Sequence, residues 1–112
     1  MAGRGMALVI EPDDLFRSLV IRVLETLDLQ CISADDVSVA VLSSVNWAFL
    51  DVTRASVDLP HLLTYPGLRV ALMGWDPELQ ETFRPWFPGV LYLPKALFKD
   101  SESLLRLLDS HT

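Results

Sequence analysis

Short, wholly apolar runs that end in acidic residues are the feature that most constrains how this chain of 112 residues folds. Residues 7–10 (ALVI) are followed by Glu11, and residues 47–50 (WAFL) are followed by Asp51. A continuous apolar run of this length is typical of a strand buried on both faces of a parallel sheet. Because ligand crevices in such sheets lie beyond the carboxyl ends of the strands, the acids are predicted to meet in one pocket for a cation or a phosphoryl group.

Between the apolar runs the hydrophobic period changes to that of a helix. Phe16, Val20 and Leu24 belong to an apolar stripe at spacings of three and four residues, which predicts an amphipathic helix over residues 13–27. Strands are predicted at residues 6–10, 29–33, 45–50, 68–73 and 90–93. Further helices are predicted after residue 35 with Val37, Ala40 and Val41 on one face, near residue 60 with Pro60 in the first turn, at 76–83 and at 101–108. Five strands alternating with helices predict one α/β domain with a parallel sheet and right-handed crossovers.

Length, charge and cysteine content indicate the number of domains, the kinds of partner and the location of the protein. A chain of this length suits one domain, predicted at residues 6–112 behind a flexible lead-in of residues 1–5. The net charge of −6 argues against direct nucleic-acid binding, because an acidic surface repels phosphate backbones. No apolar run approaches the roughly 18 residues that span a bilayer, so no membrane contact is predicted. Cys31 is the only cysteine, which leaves no internal disulfide and predicts a reducing, cytoplasmic location.

Three segments occur in the order that a known family shows: residues 10–17 (IEPDDLFR), 49–51 (FLD) and 92–95 (YLPK). Together they resemble the receiver domain of bacterial response regulators, and the likeness covers nearly the whole chain. The resemblance implies a doubly wound, flavodoxin-like α/β fold with a five-stranded parallel sheet in the order 2-1-3-4-5. It places the site at the ends of the first and third strands.

The resemblance also implies roles for the polar residues of these segments. Asp51 matches the phosphoacceptor, which in two-component signal transduction or a phosphorelay takes a phosphoryl group from a histidine kinase, and Lys95 matches the lysine that pairs with that group. Glu11 matches the first of two acids that follow the first strand. The second acid, a common Mg²⁺ ligand, is replaced by Pro12, so the candidate metal site is reduced to Glu11, Asp13 and Asp51. No cofactor is firmly expected, and Mg²⁺ is the one that the sequence allows.

Two positions that take part in the conformational switch of receivers are also altered in this chain. One lacks the usual side chain, and the other lacks its usual partner. The fourth strand usually ends in Ser or Thr, but here Gly74 has no hydroxyl, and Trp75 beside it is too bulky and apolar to replace one. Tyr92 matches the switching aromatic residue and is expected to lack its usual partner. The resemblance therefore implies an atypical receiver, or pseudo-receiver, that is a protein-interaction module and not an enzyme, with phosphorylation weakened or lost.

Other interpretations of the same residues stay open. Asp51 and Lys95 equally fit a structural ion pair at a strand end, and Asp13 equally fits the start of the first helix, where the helix dipole favours acids. Alternatively, Asp51, Glu11 and Lys95 suffice for a competent phosphoacceptor. A remote alternative is a hydrolase of the haloacid-dehalogenase type, which needs a second aspartate where this chain has Thr53.

Aromatic residues in the second half of the chain predict a partner surface. Trp75, Trp86 and Phe87 fall on or near the elements that in receivers form a face of the fourth helix, fifth strand and fifth helix, where aromatic side chains can anchor a partner. The predicted partner is a signalling protein, such as a histidine kinase or an output protein. The four leucines of residues 104–108 exceed what a lone amphipathic helix needs, which predicts a homodimer through this face.

Overall fold

A five-stranded parallel sheet forms the centre of the protein, as seen in a computed structural model that describes residues 3–35, 42–76 and 78–110. Its order is β2-β1-β3-β4-β5, and each neighbouring pair is parallel. This confirms the predicted doubly wound α/β fold. The strands are β1 (Gly5–Ile10), β2 (Leu29–Ser33), β3 (Trp47–Asp51), β4 (Arg69–Gly74) and β5 (Leu91–Pro94).

Helices follow the strands in the described residues. They are α1 (Asp14–Thr26), α2 (Ala55–Leu62), α3 (Leu79–Phe83) and α4 (Ser101–Ser110), with short 3₁₀ helices at Val52–Arg54 and Lys95–Lys99. The predicted short helix carrying Val37, Ala40 and Val41 lies outside the described residues. The predicted fourth and fifth helices are therefore α3 and α4 in this numbering.

Strand side chains alternate between two apolar layers, one on each face of the sheet. On β1, Val9 joins the layer that packs against α1 and α4, whereas Leu8 joins the layer that packs against α2. On β3, Phe49 and Leu50 divide in the same way. Burial of both faces explains why these strands are continuous apolar runs in the sequence, because neither face meets water.

Helix α1 begins where the sequence predicts it, whereas α2 begins earlier than predicted. Asp13 is the N-cap of α1, and its Oδ1 accepts hydrogen bonds from the amides of Leu15 and Phe16, each at 3.0 Å. In α2, the expectation that Pro60 stands in the first turn is wrong, because the helix already begins at Ala55. Pro60 therefore lies inside the helix, where it has no N–H to donate to the preceding turn.

The chain is already hydrogen-bonded within the predicted lead-in. Gly5 is the first residue of β1, and the Arg4 amide donates to the Asp28 carbonyl at 2.8 Å. Gly5 has φ +109°, where a side chain is disfavoured, and a Cβ there would lie 2.1 Å from Asn46 Oδ1. None of the helices described in this chain has the length and apolar character needed to cross a membrane.

Candidate functional site

The register of the sheet brings residues from three strands to one edge. Ile10 of β1 pairs with Leu50 of β3, so Glu11 and Asp51 stand one residue further along neighbouring parallel strands. Lys95 follows Pro94, the last residue of β5. Since all strands run in the same direction, these three side chains share the edge at which the strands end.

Lys95 bridges the two carboxylates at this edge. Its Nζ lies 2.6 Å from Asp51 Oδ1 and 2.8 Å from Glu11 Oε1. The three residues are almost wholly buried, with exposed fractions of 3% for Glu11, 4% for Asp51 and 5% for Lys95. Two negative charges and one positive charge are thus held together away from water, where leaving any one of them without a partner is costly.

The other oxygen of Asp51 is held by the residue two positions later. Asp51 Oδ2 accepts a hydrogen bond from the Thr53 amide at 3.1 Å and another from the Thr53 hydroxyl. Asp51 is thereby the N-cap of the 3₁₀ helix Val52–Arg54. Each carboxylate oxygen of Asp51 therefore has a partner within the chain.

These contacts shift the pKa values of Asp51 and Lys95. Burial raises the pKa of Asp51, but the contacts with Lys95 and Thr53 outweigh it and hold that pKa below the ordinary value of 3.8. Burial likewise lowers the pKa of Lys95, and pairing with Asp51 and Glu11 outweighs it, so the pKa of Lys95 lies above 10.5. At neutral pH Asp51 and Lys95 are therefore both charged.

Glu11 is held by both its backbone and its side chain. Its Oε2 accepts from the Asp13 amide at 3.1 Å, and its carbonyl accepts from Arg17 Nη1 at 3.0 Å. Its buried Oε1 accepts no hydrogen bond of regular geometry from the described residues, so the 2.8 Å approach of Lys95 is a charge contact. Beside Glu11 opens a cavity of about 310 Å³ whose lining includes Pro12, Arg17 and Arg54.

The side chains at this edge do not form a Mg²⁺ site. Asp13 Oδ1 caps α1, and Pro12 has no carboxylate. Lys95 occupies the position between Glu11 and Asp51 that a cation would need. Within residues 3–35, 42–76 and 78–110, no group of three His, Cys, Asp or Glu side chains is arranged to hold a metal ion. Because Mg²⁺ needs several oxygens in near-octahedral geometry, this arrangement does not fit it.

Two aromatic rings flank the Lys95 ammonium group. Its Nζ lies 4.7 Å from the ring centroid of Phe16 and 5.8 Å from that of Trp75. The two rings also contact each other, with centroids 5.4 Å apart. Trp75, expected from the sequence to be an interface residue, thus lies over the site itself.

The two predicted switch positions lie on neighbouring central and edge strands. Gly74 is the buried last residue of β4 and pairs with Pro94. Tyr92 is buried on β5, and its hydroxyl donates to the Asp76 carbonyl at 2.6 Å. Although no hydroxyl is present at Gly74, the Tyr92 side chain is fixed by a backbone acceptor.

The remaining interface candidates differ in exposure. Trp86, in the turn after α3, is 77% exposed, whereas Phe87 is half-buried and packs against the core layer that contains Tyr92. Of the leucines on α4, Leu104 and Leu108 are buried in the other layer. The two leucines between them are partly buried against the same layer, so less apolar surface is left on α4 than the sequence suggests.

The contacts made by Thr53 and Phe16 are functional contacts that the sequence pattern did not predict. An Asp followed two residues later by Thr is a local signal for a cap, since the aspartate accepts from the later amide. Phe16 was assigned to the apolar face of α1, which is where it packs. Its contact with Lys95 joins residues 79 positions apart in the chain, a distance over which the sequence pattern carries no signal.

No family model matches this sequence, and no curated protein matches it significantly. Solved structures do match. A receiver domain of an HD domain-containing protein from Pseudomonas fluorescens Pf-5 is 23% identical, with a TM-score of 0.72 over 96% of this chain and 94% of that one. A response regulator from Thermotoga maritima is 17% identical, also with a TM-score of 0.72, over 96% of each chain.

The chain has the fold of a receiver domain. A receiver domain protein from Clostridium thermocellum agrees, with 14% identity and a TM-score of 0.72 over 96% of this chain and 93% of that one. At these identities the likeness establishes the receiver fold, and the function has to be argued from the site.

Proposed function

We propose that this protein is a cytoplasmic, receiver-like interaction module of two-component-type signal transduction in which phosphorylation of Asp51 is weakened or lost. The receiver fold supports the signalling context, and the site supports the loss of phosphorylation. The module is not an enzyme that acts on an external substrate. Its output is the binding of another signalling protein, such as a histidine kinase or an output protein.

The observation that carries this proposal is the closed set of contacts around Asp51. Lys95 holds Oδ1 and Thr53 holds Oδ2, so the nucleophilic oxygen of an attack on phosphorus must first leave a partner. The lowered pKa of Asp51 marks a stabilised carboxylate, which is a correspondingly weaker nucleophile.

Missing helper groups support the same conclusion. Phosphoryl transfer depends on cations that neutralise the charge developing on the phosphoryl oxygens. Pro12 supplies no carboxylate for such an ion, and Lys95 is already paired with two carboxylates. Gly74 offers no hydroxyl to a phosphoryl oxygen, so a phosphorylated state would gain little over the resting one.

The proposed partner surface is the face formed by α3, β5 and α4. A cavity of about 420 Å³ lies there, lined mainly by apolar side chains that include Phe83, Phe87 and Leu107. Trp86 stands exposed in the adjoining turn. An exposed tryptophan next to an apolar depression suits a protein partner, and a second copy of the chain is the simplest one. Light scattering of wild type and Trp86→Ser tests the homodimer, which a monomeric wild type at high concentration excludes.

Phosphorylation is tested with small phosphoryl donors. Wild-type protein incubated with acetyl phosphate and Mg²⁺, or with beryllofluoride and Mg²⁺, is expected to show little added mass and a nearly unchanged amide NMR spectrum. Asp51→Asn is the matched control, since it keeps the size of the side chain but removes the acceptor. Stoichiometric labelling of wild type with large spectral shifts, absent in Asp51→Asn, contradicts the proposal.

That contrary result would establish the second candidate, a competent phosphoacceptor. The observation that favours it is the presence of an acid, a nucleophilic carboxylate and a lysine in contact at the strand ends. In that case Asp51 attacks the phosphorus atom of the donor, the donor's leaving group departs, and Lys95 pairs with the new phosphoryl group.

A further inference from the structure

The environment of the Lys95 ammonium group is completed by aromatic rings. An ammonium group has three N–H donors, and Asp51 and Glu11 account for two close contacts. The ring of Phe16 lies 4.7 Å away and that of Trp75 lies 5.8 Å away, both within the range of a cation–π contact. The Lys95 residue as a whole is 5% exposed.

The two rings are held very differently. Phe16 is a buried core residue that also packs edge-on against Phe98, with centroids 5.6 Å apart. Trp75 follows β4 directly and is 64% exposed, with its contacts to Phe16 and Lys95 on its covered side. Moving Phe16 would disrupt the core, whereas the Trp75 indole has most of its surface in solvent and can leave Phe16 and Lys95 without displacing a core residue.

We propose that Trp75 is an aromatic lid over Lys95 and the Asp51 oxygen that Lys95 holds, and that displacement of its indole exposes this ion pair to small solutes. The inference concerns access to the site, so it goes beyond the proposed loss of phosphorylation.

The chain provides an internal control for this proposal, because Lys95 and Lys99 are its only two lysines and Lys99 is exposed. Folded protein is treated with a limiting amount of an N-hydroxysuccinimide ester of acetic acid, and acetylation at each lysine is followed by peptide mass spectrometry. In wild type, Lys99 is expected to react and Lys95 to be protected. Reaction of both at equal rates overturns the lid.

The decisive comparison is between two similarly exposed apolar side chains, Trp75 and Val57. Trp75→Ala is expected to speed acetylation of Lys95 by about two- to fivefold, the factor that corresponds to loss of one cation–π contact with an exposed ring, with Lys99 unchanged. Val57→Ala truncates an exposed side chain on α2, away from the site and the proposed partner surface, and is expected to change neither rate. Protection of Lys95 that persists in Trp75→Ala overturns the proposal, as does an equal rise at both lysines, which indicates general loosening.

A second measurement detects the lid without relying on reactivity. Ring currents of Phe16 and Trp75 are expected to shift the Lys95 Hε NMR signals upfield of those of Lys99. Trp75→Phe should keep part of the shift and of the protection, and Trp75→Ala should lose both. A failed phosphorylation assay leaves these outcomes unaffected, so failure of the lid and failure of the proposed function are distinguishable.

Discussion

Lys95 Nζ lies 2.6 Å from Asp51 Oδ1, and both side chains are buried at the ends of strands that are not neighbours in the sheet. Lys95 also contacts Glu11, so a single positive charge balances two buried carboxylates. Burying these three charged side chains costs desolvation free energy. Their mutual attraction offsets that cost only while the contacts among them are maintained. The stability of the fold is therefore coupled to the state of the site.

Removing the positive charge should be strongly destabilising. Lys95→Met leaves Glu11 and Asp51 buried without a cation, and breaking a buried ion pair in this way costs about 3–5 kcal/mol. The measurement is the free energy of unfolding from urea titration. Lys99→Met is the matched control at an exposed lysine and should change that free energy by no more than about 0.5 kcal/mol.

Neutralising the carboxylates in the same background should restore much of the lost stability. Glu11→Gln and Asp51→Asn, combined with Lys95→Met, remove all three charges while keeping side-chain size. If Lys95→Met alone is as stable as wild type, the ion-pair account of the site is wrong.

Stability should fall at both extremes of pH. The pKa of Asp51 is lowered in the folded state, so its contribution is fully present above the unfolded value of about 3.9 and is lost as pH falls through the lower folded pKa. The pKa of Lys95 is raised, so its contribution is fully present below about 10.4 and is lost as pH rises through the higher folded pKa. Midpoints of urea unfolding, measured across acid and alkaline pH, test the predicted loss of stability at low pH and at high pH.

Asp51→Asn should reduce the loss of stability that wild type shows at low pH. If wild type and Asp51→Asn lose the same stability at low pH, other carboxylates cause that loss.

Asp13 is expected to act as a helix cap. Asp13→Ala removes the acceptor of two amide hydrogen bonds at the start of α1 and should lower the free energy of unfolding by about 0.5–2 kcal/mol. Asp13→Asn keeps a capping oxygen without the charge and should remain within about 0.5 kcal/mol of wild type. Mg²⁺ binding measured by calorimetry separates the alternative, since a ligand role predicts that both substitutions abolish binding.

The Tyr92 hydroxyl should stabilise the fold through the Asp76 carbonyl. Tyr92→Phe removes a 2.6 Å hydrogen bond and should cost about 0.5–1.5 kcal/mol, with more if the carbonyl stays buried without a donor. The half-buried Tyr65 provides the control substitution Tyr65→Phe. Equal unfolding energies for wild type and Tyr92→Phe would mean that water replaces this contact.

Several elements were predictable because local periodicity carries the information. The run from Ala7 to Ile10 had to be a central strand, since four consecutive apolar residues need burial on both faces, and the three- and four-residue spacing from Phe16 required a helix. The helix start at Ala55 was missed because Pro60 suggested a later beginning, and packing of Ala55 and Leu59 in the core overrides that local signal.

The sequence by itself determined that Glu11, Asp51 and Lys95 lie at one edge of the sheet, because parallel strands that alternate with helices all end there. The strand order was implied by the resemblance to receiver domains, and the structure confirms it. Only the tertiary structure decided what these groups contact. Thr53 holds the free oxygen of Asp51, and Trp75 covers Lys95. Such contacts depend on side-chain directions set by neighbours from distant segments, and hydrophobic periodicity specifies which face a residue occupies but not which atoms it meets there.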